Sequence, residues 1–99
     1  RRHPLVGDRV FFGNGSQVLG PAIVKDDVKI GATVLVRDCL LGEGSQFAMG
    51  IRVAGVAVPP GTHIFGYDSE NSHRYWAKLA NSTRPQWVTF DKFEPENWE

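Results

Sequence analysis

The sequence predicts an all-β domain in which short strands wind into a triangular coil of about three turns, followed by a short helix and a tail. Three observations support this prediction. Large apolar residues recur every six positions, Gly or Ala follows most of them, and residues about eighteen apart are alike in kind. A six-residue period is unlike the spacing of a helix and unlike the simple alternation of a strand. It is typical of a repeated unit whose copies stack on one another.

The apolar series defines the units of the coil. It comprises nine residues, with one position skipped before the seventh: Val6, Phe12, Val18, Val24, Ile30, Val36, Leu41, Phe47 and Val53. Each unit is expected to form one side of a triangle, with its first residue directed into the core. Gly or Ala in the next position, as at Gly31 and Ala48, allows a tight turn and close stacking of coils. The skipped position should tighten the corner near Asp38.

Equivalent positions should form columns, because three six-residue units make a coil of eighteen residues. The predicted columns are Phe12 with Ile30, Phe47 and Phe65; Gly13 with Gly31, Ala48 and Gly66; and Val18 with Val36 and Val53. Phe65–Gly66 is therefore expected to open a fourth, incomplete coil, and the coil domain to extend over residues 6–66. Outward positions include Ile23 and Val58, which should form an apolar face covered by a neighbouring subunit or by the C-terminal segment.

The segment after the coil, residues 67–99, is predicted to begin with a helix. The Pro59–Pro60 pair removes two backbone donors and closes the regular stack. Ser69 or Ser72 could cap a helix that runs to about Ala80. Its apolar stripe, which would dock on the coil, consists of Tyr75, Trp76 and Leu79.

The tail is rich in aromatic residues. Residues 81–85 are typical of a loop, and residues 87–90 of a short extended piece. Three tryptophans fall within the last 24 residues: Trp76, Trp87 and Trp98. We expect them to pack in the core or against another subunit, in preference to forming a platform for an aromatic ligand.

Composition excludes several classes of protein. Eleven basic and eleven acidic residues balance, unlike the basic excess of a nucleic-acid-binding module, and no apolar run approaches the roughly 20 residues that span a bilayer.

Cys39 is the single cysteine, so no internal disulfide can form; this fits a reducing compartment, and we expect a cytoplasmic protein. Cys39 is interpreted as a wall residue in preference to a reactive thiol. The Asp26–Asp27 pair is interpreted as a solvated corner in preference to a metal site.

Individual units resemble the hexapeptide repeat of left-handed parallel β-helix proteins. Two units carry this likeness, IGATVL at residues 30–35 and LGEGSQ at residues 41–46. The closing segment VPPGTHIFG at residues 58–66 resembles the end of the helix in acyltransferases of that superfamily. The segment DCLLGEGS at residues 38–45 is similar to the β-helix appended to sugar nucleotidyltransferases. The resemblance implies a left-handed parallel β-helix that assembles as a homotrimer.

The resemblance also implies an activity: transfer of an acyl group from acyl-coenzyme A to a hydroxyl or amine of a sugar or other small acceptor. Acyltransferases of this superfamily use a His on a coil as general base, a task that suits imidazole. No His occurs between Pro4 and Thr62, and the candidates are His3, His63 and His73. His63 is the best placed, because it lies near the end of the stack.

Positions for the co-substrate are likewise implied by the resemblance alone. The residues that it assigns to binding acyl-coenzyme A are Ala48, Arg52, Ala54 and Gly61, with Arg52 or Lys78 near the phosphates. No metal is expected, because the histidines that a carbonic-anhydrase-like relative would need within its coils are missing.

The missing coil His keeps a second interpretation open. The chain could be a non-catalytic β-helix that trimerises, or the C-terminal domain of a larger sugar nucleotidyltransferase. Function resides in sites placed on a fold, so the repeat alone does not decide between the two. Neither interpretation includes a nucleic-acid partner or a membrane span.

Overall fold

The computed structural model describes residues 3–94, which form twelve β-strands and no helix. The strands are β1 Leu5–Val6, β2 Phe11–Phe12, β3 Gln17–Val24, β4 Lys29–Ile30, β5 Leu35–Leu41, β6 Gln46–Phe47, β7 Arg52–Ala54, β8 Val56–Val58, β9 His63–Asp68, β10 Asn71–Lys78, β11 Gln86–Thr89 and β12 Asp91–Lys92. No helix in residues 3–94 is long and apolar enough to cross a membrane.

The first nine strands wind into a solenoid with three flat faces. Face one contains β1, the second halves of β3 and β5, and β8. Face two contains β2, β4, β6 and β9, and face three contains the first halves of β3 and β5 together with β7. Pairing between these strands is parallel throughout. The solenoid therefore makes about four turns, where the repeat predicted about three and an incomplete fourth.

Inward side chains stack in register through the turns and form the core. The stacked residues are Val6, Val24, Leu41 and Val58 on face one; Phe12, Ile30, Phe47 and Ile64 on face two; and Val18, Val36 and Val53 on face three. From Val24 onward they are buried, and each stabilises the fold by roughly 1.5–3 kcal/mol. In the first turn Val6 and Phe12 remain 48% and 43% exposed.

The corner between face one and face two holds a residue in the left-handed backbone conformation in every turn. Its φ angle is 55° at Arg9, 63° at Asp27, 73° at Gly44 and 69° at Gly61. The Asp27 N–H donates to the carbonyl oxygen of Asp8 at 2.9 Å, and the two glycines repeat this bond to the preceding turn. The corners thus join successive turns as the strands do.

Glycine after an inward residue permits the turns to approach closely. A Cβ atom on Gly42 would lie 2.5 Å from the backbone nitrogen of Pro60 and 2.6 Å from the carbonyl oxygen of Val58. One on Gly31 would lie 2.7 Å from the carbonyl oxygen of Phe47. The predicted role of these small residues in stacking is confirmed.

The predicted stacking of Phe65 on Phe47 is wrong by one residue. Phe47 pairs with Ile64, and Phe65 lies beyond it, half exposed. The cause is a second shortened unit between Val53 and Val58, which the sequence analysis did not include. Gly66 is likewise displaced from the Gly13 column, and it pairs instead with Trp76 of β10.

The same shortened unit reverses the predicted direction of Val58. Val58 pairs with Leu41 and is fully buried, so the prediction that it points outward is wrong. The outward position belongs to Ala57, which pairs with Leu40. Ile23 does lie in the outward column of face one, as predicted, beside Leu40.

The predicted helix from Ser69 or Ser72 to Ala80 is also wrong. Residues 71–78 form β10, which pairs antiparallel with β9 and β11. Tyr75 and Ala77 are buried while Trp76 between them is exposed, which is the two-residue period of a strand. In the turn between β9 and β10, the Asp68 carboxylate accepts a hydrogen bond from the N–H of Glu70 at 2.9 Å. This turn reverses the chain, so that β10 pairs with the edge of β9 that no solenoid strand occupies.

The C-terminal strands extend both sheets of the solenoid. β11 continues face two and confirms the predicted extended piece, and β12 pairs antiparallel with β8 on face one. Phe90 and Phe93 are buried, whereas Trp76 and Trp87 pack edge to face at 5.4 Å and stay partly exposed. Trp98 lies outside the described residues.

Candidate active-site groove

The outer surface of face two carries four aligned side chains. Phe11 pairs with Lys29, Lys29 with Gln46, and Gln46 with His63, so these residues form one file across β2, β4, β6 and β9. Neighbouring strands are about 4.8 Å apart. The file therefore spans three strand spacings, with an aromatic ring at one end and an imidazole at the other.

A groove of about 290 Å³ runs beside this file. Its walls include Phe11, Lys29, Gln46, Ala48, His63 and Phe65. The rings of His63 and Phe65 meet edge to face with centroids 6.2 Å apart. The groove thus combines mostly apolar walls with three polar groups, which is the composition of a small-molecule site.

His63 is half-buried at the β9 end of the groove, where β9 pairs with β10. Its side chain makes no hydrogen bond and no ion pair to any of residues 3–94. Lys78 lies opposite it on β10. An imidazole held in this way has a free nitrogen that can accept a proton from a bound ligand.

Comparison with known proteins adds a partial match. No family model matches the chain, and no solved structure matches it. A serine acetyltransferase of Mycobacterium tuberculosis is 53% identical over 36 residues, which are 36% of this chain and 16% of that protein. A serine acetyltransferase of Helicobacter pylori is 56% identical over 36 residues, 36% of this chain and 21% of that protein.

The chain shares partial homology with the hexapeptide-repeat acyltransferases. This homology and the β-solenoid together support membership of the left-handed β-helix superfamily that contains them. The matched segment covers about a fifth or less of the length of the curated relatives.

The four positions that the acyltransferase resemblance assigns to coenzyme A lie in different parts of the solenoid. Ala48 lines the groove beside His63. Arg52 and Ala54 belong to β7 on face three. Gly61 lies at the corner between face one and face two, where an added Cβ would meet Ala80 at 2.9 Å. The structure therefore brings only Ala48 to the groove, and the donor site remains a prediction.

The other two candidate histidines lie outside the groove. His3 is exposed and precedes β1. His73 is on β10, with its Nε2 atom 3.5 Å from where a Cβ on Gly55 would be. Of the three histidines that an acyltransferase could use as a base, only His63 lines the groove.

Cys39 is the wall residue that the sequence analysis favoured. It is fully buried, and its thiol donates to the carbonyl oxygen of Arg37 at 3.0 Å. Burial raises the pKa of the Cys39 thiol to about 11, so the reactive thiolate is scarce at neutral pH.

The Asp26–Asp27 pair forms a corner contact. The Asp27 carboxylate accepts two hydrogen bonds from the Arg9 guanidinium, at 2.7 and 3.1 Å, and the Asp26 carboxylate accepts the N–H of Asp8 at 2.7 Å. The Arg9 guanidinium also holds the pKa of Asp27 below its usual value. Within residues 3–94 no group of three or more His, Cys, Asp or Glu side chains is placed to hold a metal ion.

Three groove residues were not recognised from the sequence as parts of a site. Phe11, Lys29 and Gln46 occupy outward positions of their units, and a period-six count places them in one file. That count put Val58 in an outward position and separated His63 from the file. Including the second shortened unit would have aligned His63 with the other three.

Proposed function

We propose that this protein is an acyltransferase of the hexapeptide-repeat class, which transfers an acyl group from acyl-coenzyme A to a hydroxyl or amine of a small acceptor. The observation that supports this most strongly is an imidazole, His63, that makes no hydrogen bond or ion pair within residues 3–94 and lines a mostly apolar groove of a solenoid that shares partial homology with serine acetyltransferases. The names of those relatives specify serine as the acceptor and an acetyl group as the group transferred.

In the proposed reaction His63 is the general base. Its neutral imidazole takes the proton from the acceptor hydroxyl or amine as the oxygen or nitrogen attacks the thioester carbonyl carbon. A new C–O or C–N bond forms, the C–S bond breaks, and the imidazolium returns the proton to the departing coenzyme A thiolate. The reaction needs no oxidant and no metal.

The donor is proposed to be acetyl-coenzyme A or a related thioester. Ala48 would lie beside its acyl end, because it shares the groove with His63. Arg52 is the cation proposed for the coenzyme A phosphates, because Lys78 pairs with His63 and therefore lies too near the acyl end. Arg52, Ala54 and Gly61 complete the donor positions that the resemblance implies.

The functional assembly is proposed to be a homotrimer of left-handed solenoids. Its contact surface would be the outward file of face one, which is apolar over the four solenoid strands and has Asp91 of β12 beside its last member: Leu5, Ile23, Leu40 and Ala57. A soluble protein gains stability when such a continuous apolar file is covered.

Coenzyme A release from acetyl-coenzyme A, with a panel of alcohol and amine acceptors, tests this proposal. His63→Asn should reduce the rate constant by about 10²-fold or more, the usual contribution of a general base. His73→Asn, a matched change on the neighbouring strand β10, should leave the rate unchanged. Full activity of His63→Asn would exclude His63 as the base.

A second candidate function is a non-catalytic trimerising solenoid, alone or as the C-terminal domain of a larger sugar nucleotidyltransferase. The absence of histidine between residues 4 and 62 favours it. This alternative predicts a stable oligomer that shows neither heat of binding with coenzyme A nor turnover with any acceptor. Calorimetry with coenzyme A therefore separates the two candidates before any acceptor is known.

A further inference from the structure

The walls of the groove are more apolar than the binding of a small polar acceptor would require. The rings of Phe11 and Phe65 stand at its two ends, on β2 and β9, and they are 61% and 45% exposed. Large aromatic side chains are normally buried, because each removes considerable apolar area from water. Their exposure within one groove indicates a ligand with an apolar body.

A cation lies in the groove without an acidic partner. Lys29 is exposed, and no carboxylate among residues 3–94 lies within ion-pair distance of its ammonium group. The acidic residue nearest in sequence, Asp27, attracts Lys29 only at longer range, because its carboxylate is engaged by the Arg9 guanidinium at 2.7 Å. Lys29 is therefore free to form a close ion pair with an anionic group of a ligand.

The spacing of the strands sets the distance between the Lys29 ammonium group and the His63 imidazole. Lys29 and His63 are separated by Gln46 in the file, hence by two strand spacings, or about 10 Å between backbones. A flat ring with an anionic group at one end and a nucleophile at the other spans such a gap. The Gln46 amide, midway between them, offers both a donor and an acceptor to ring substituents.

We propose that the groove binds an aromatic carboxylate that carries a hydroxyl or amine at its far end, and that this molecule is the acyl acceptor. Its carboxylate pairs with Lys29, its ring lies over Gln46 and packs against Phe65, and its nucleophile meets His63. The binding part of this inference stands independently, whereas the acceptor part rests on the proposed acyltransferase function.

Binding is tested first, without donor. Titration of the full chain with 4-(hydroxymethyl)benzoate, followed by NMR, should shift the signals of Lys29 and His63, and its uncharged methyl ester should bind about three- to fivefold more weakly, the effect of one partly exposed ion pair. Lys29→Met should abolish the preference for the carboxylate, and Lys25→Met, at a corner outside the groove, should preserve it. Equal affinity of acid and ester would overturn the inference.

A matched pair on β9 tests the apolar wall. Phe65 and Tyr67 are 45% and 46% exposed, and only Phe65 lines the groove. Phe65→Ala should weaken binding of the probe, and Tyr67→Ala should not. If the probe fails to bind and Phe65→Ala alone dissociates an oligomer, face two is a subunit interface and the inference is overturned.

Acyl transfer distinguishes failure of the inference from failure of the proposed function. Transfer of the acetyl group to 4-(hydroxymethyl)benzoate with a lower KM than to L-serine supports both. Transfer to L-serine alone overturns the acceptor class and leaves the acyltransferase standing. Binding of the probe with no transfer to any acceptor supports the ligand class and removes the acceptor role.

Discussion

The hydroxyl of Tyr75 accepts a hydrogen bond from the backbone N–H of Ala54 at 3.1 Å, and so joins the C-terminal hairpin to face three of the solenoid. The same hydroxyl donates to the carbonyl oxygen of Ser72 at 3.4 Å, and the side chain is buried against Phe90 with ring centroids 5.8 Å apart. One side chain thereby ties β10 to the solenoid, and β10 pairs with β9, the strand that carries His63.

Replacement of Tyr75 by Phe should destabilise the protein. The ring would stay packed, but the Ala54 N–H would lose its partner while partly buried, which costs about 1–3 kcal/mol. Urea unfolding followed by fluorescence measures this change. Tyr67→Phe, at an exposed position of β9, is the matched control and should leave the midpoint unchanged. Equal midpoints for both variants would mean that the Tyr75 hydrogen bond contributes nothing.

Two neighbouring glycines should respond differently to replacement by Ala. At Gly42 the new Cβ meets Pro60 and Val58 backbone atoms that cannot move without separating two turns, so we expect a loss of about 2–3 kcal/mol or more. At Gly44 nothing lies within 4 Å, and only the φ of 73° opposes the change, at a cost of about 1–2 kcal/mol. In thermal unfolding, the Gly42→Ala variant should have a lower melting temperature than the Gly44→Ala variant.

Buried hydroxyls at equivalent positions of successive turns should show opposite signs of effect. The Thr62 hydroxyl is buried with no hydrogen-bond partner in the described part of the chain, so Thr62→Val should be neutral or stabilise the protein by up to about 1 kcal/mol. The Ser45 hydroxyl donates to the carbonyl oxygen of Gly42 at 2.7 Å, so Ser45→Ala should destabilise it by about 1 kcal/mol. Chemical denaturation of both variants checks the contrast, and a large loss in Thr62→Val would contradict it.

Cys39 should make stability fall in alkaline solution. Burial raises its pKa from 9.0 to about 11, so the folded state holds the thiol proton more tightly than the unfolded chain does. This contribution, on the order of 2–3 kcal/mol, is complete below pH 9 and is lost as the pH rises to about 11. Unfolding free energies at pH 8 and pH 10 should differ less for Cys39→Ala than for the native protein.

Leu40→Lys should disrupt the proposed trimer. It would place a charge at the centre of the outward file of face one, while Leu40 itself is only partly buried in the single chain. Sedimentation should then find monomers that retain the circular dichroism of the native protein. Gln46→Lys on face two is the control, and a Leu40→Lys trimer would place the interface elsewhere.

Sequence periodicity was sufficient for the solenoid but not for its register after Val53. Val58 and Pro59 are both apolar, so a five-residue unit and a six-residue unit after Val53 fit the sequence equally well. The shortened unit at Val36 was visible only because the series otherwise failed at Leu41. A strand at residues 71–78 was harder to predict, because its pairing depends on the free edge of β9, which is a product of the fold.

The sequence singled out His63, which lines the groove, but it did not reveal the other residues of the groove. His63 followed from elimination among three histidines. Phe11, Lys29 and Gln46 lie up to 52 residues from it in the chain and meet it only through strand register. Residues this far apart in the sequence can be recognised as one file only when the length of every repeat unit is known.

The half-exposed core of the first turn has a consequence for ligand affinity. β1 and β2 have a paired neighbour on one side only within residues 3–94, so their amides should exchange with solvent sooner than those of β6 and β9. A ligand that reaches from His63 to Phe11 would then bind fully only to molecules whose first turn is closed. A change that slows amide exchange in β2 should raise the fraction of molecules whose first turn is closed. The affinity of the groove for such a ligand should then rise by the same factor as that fraction.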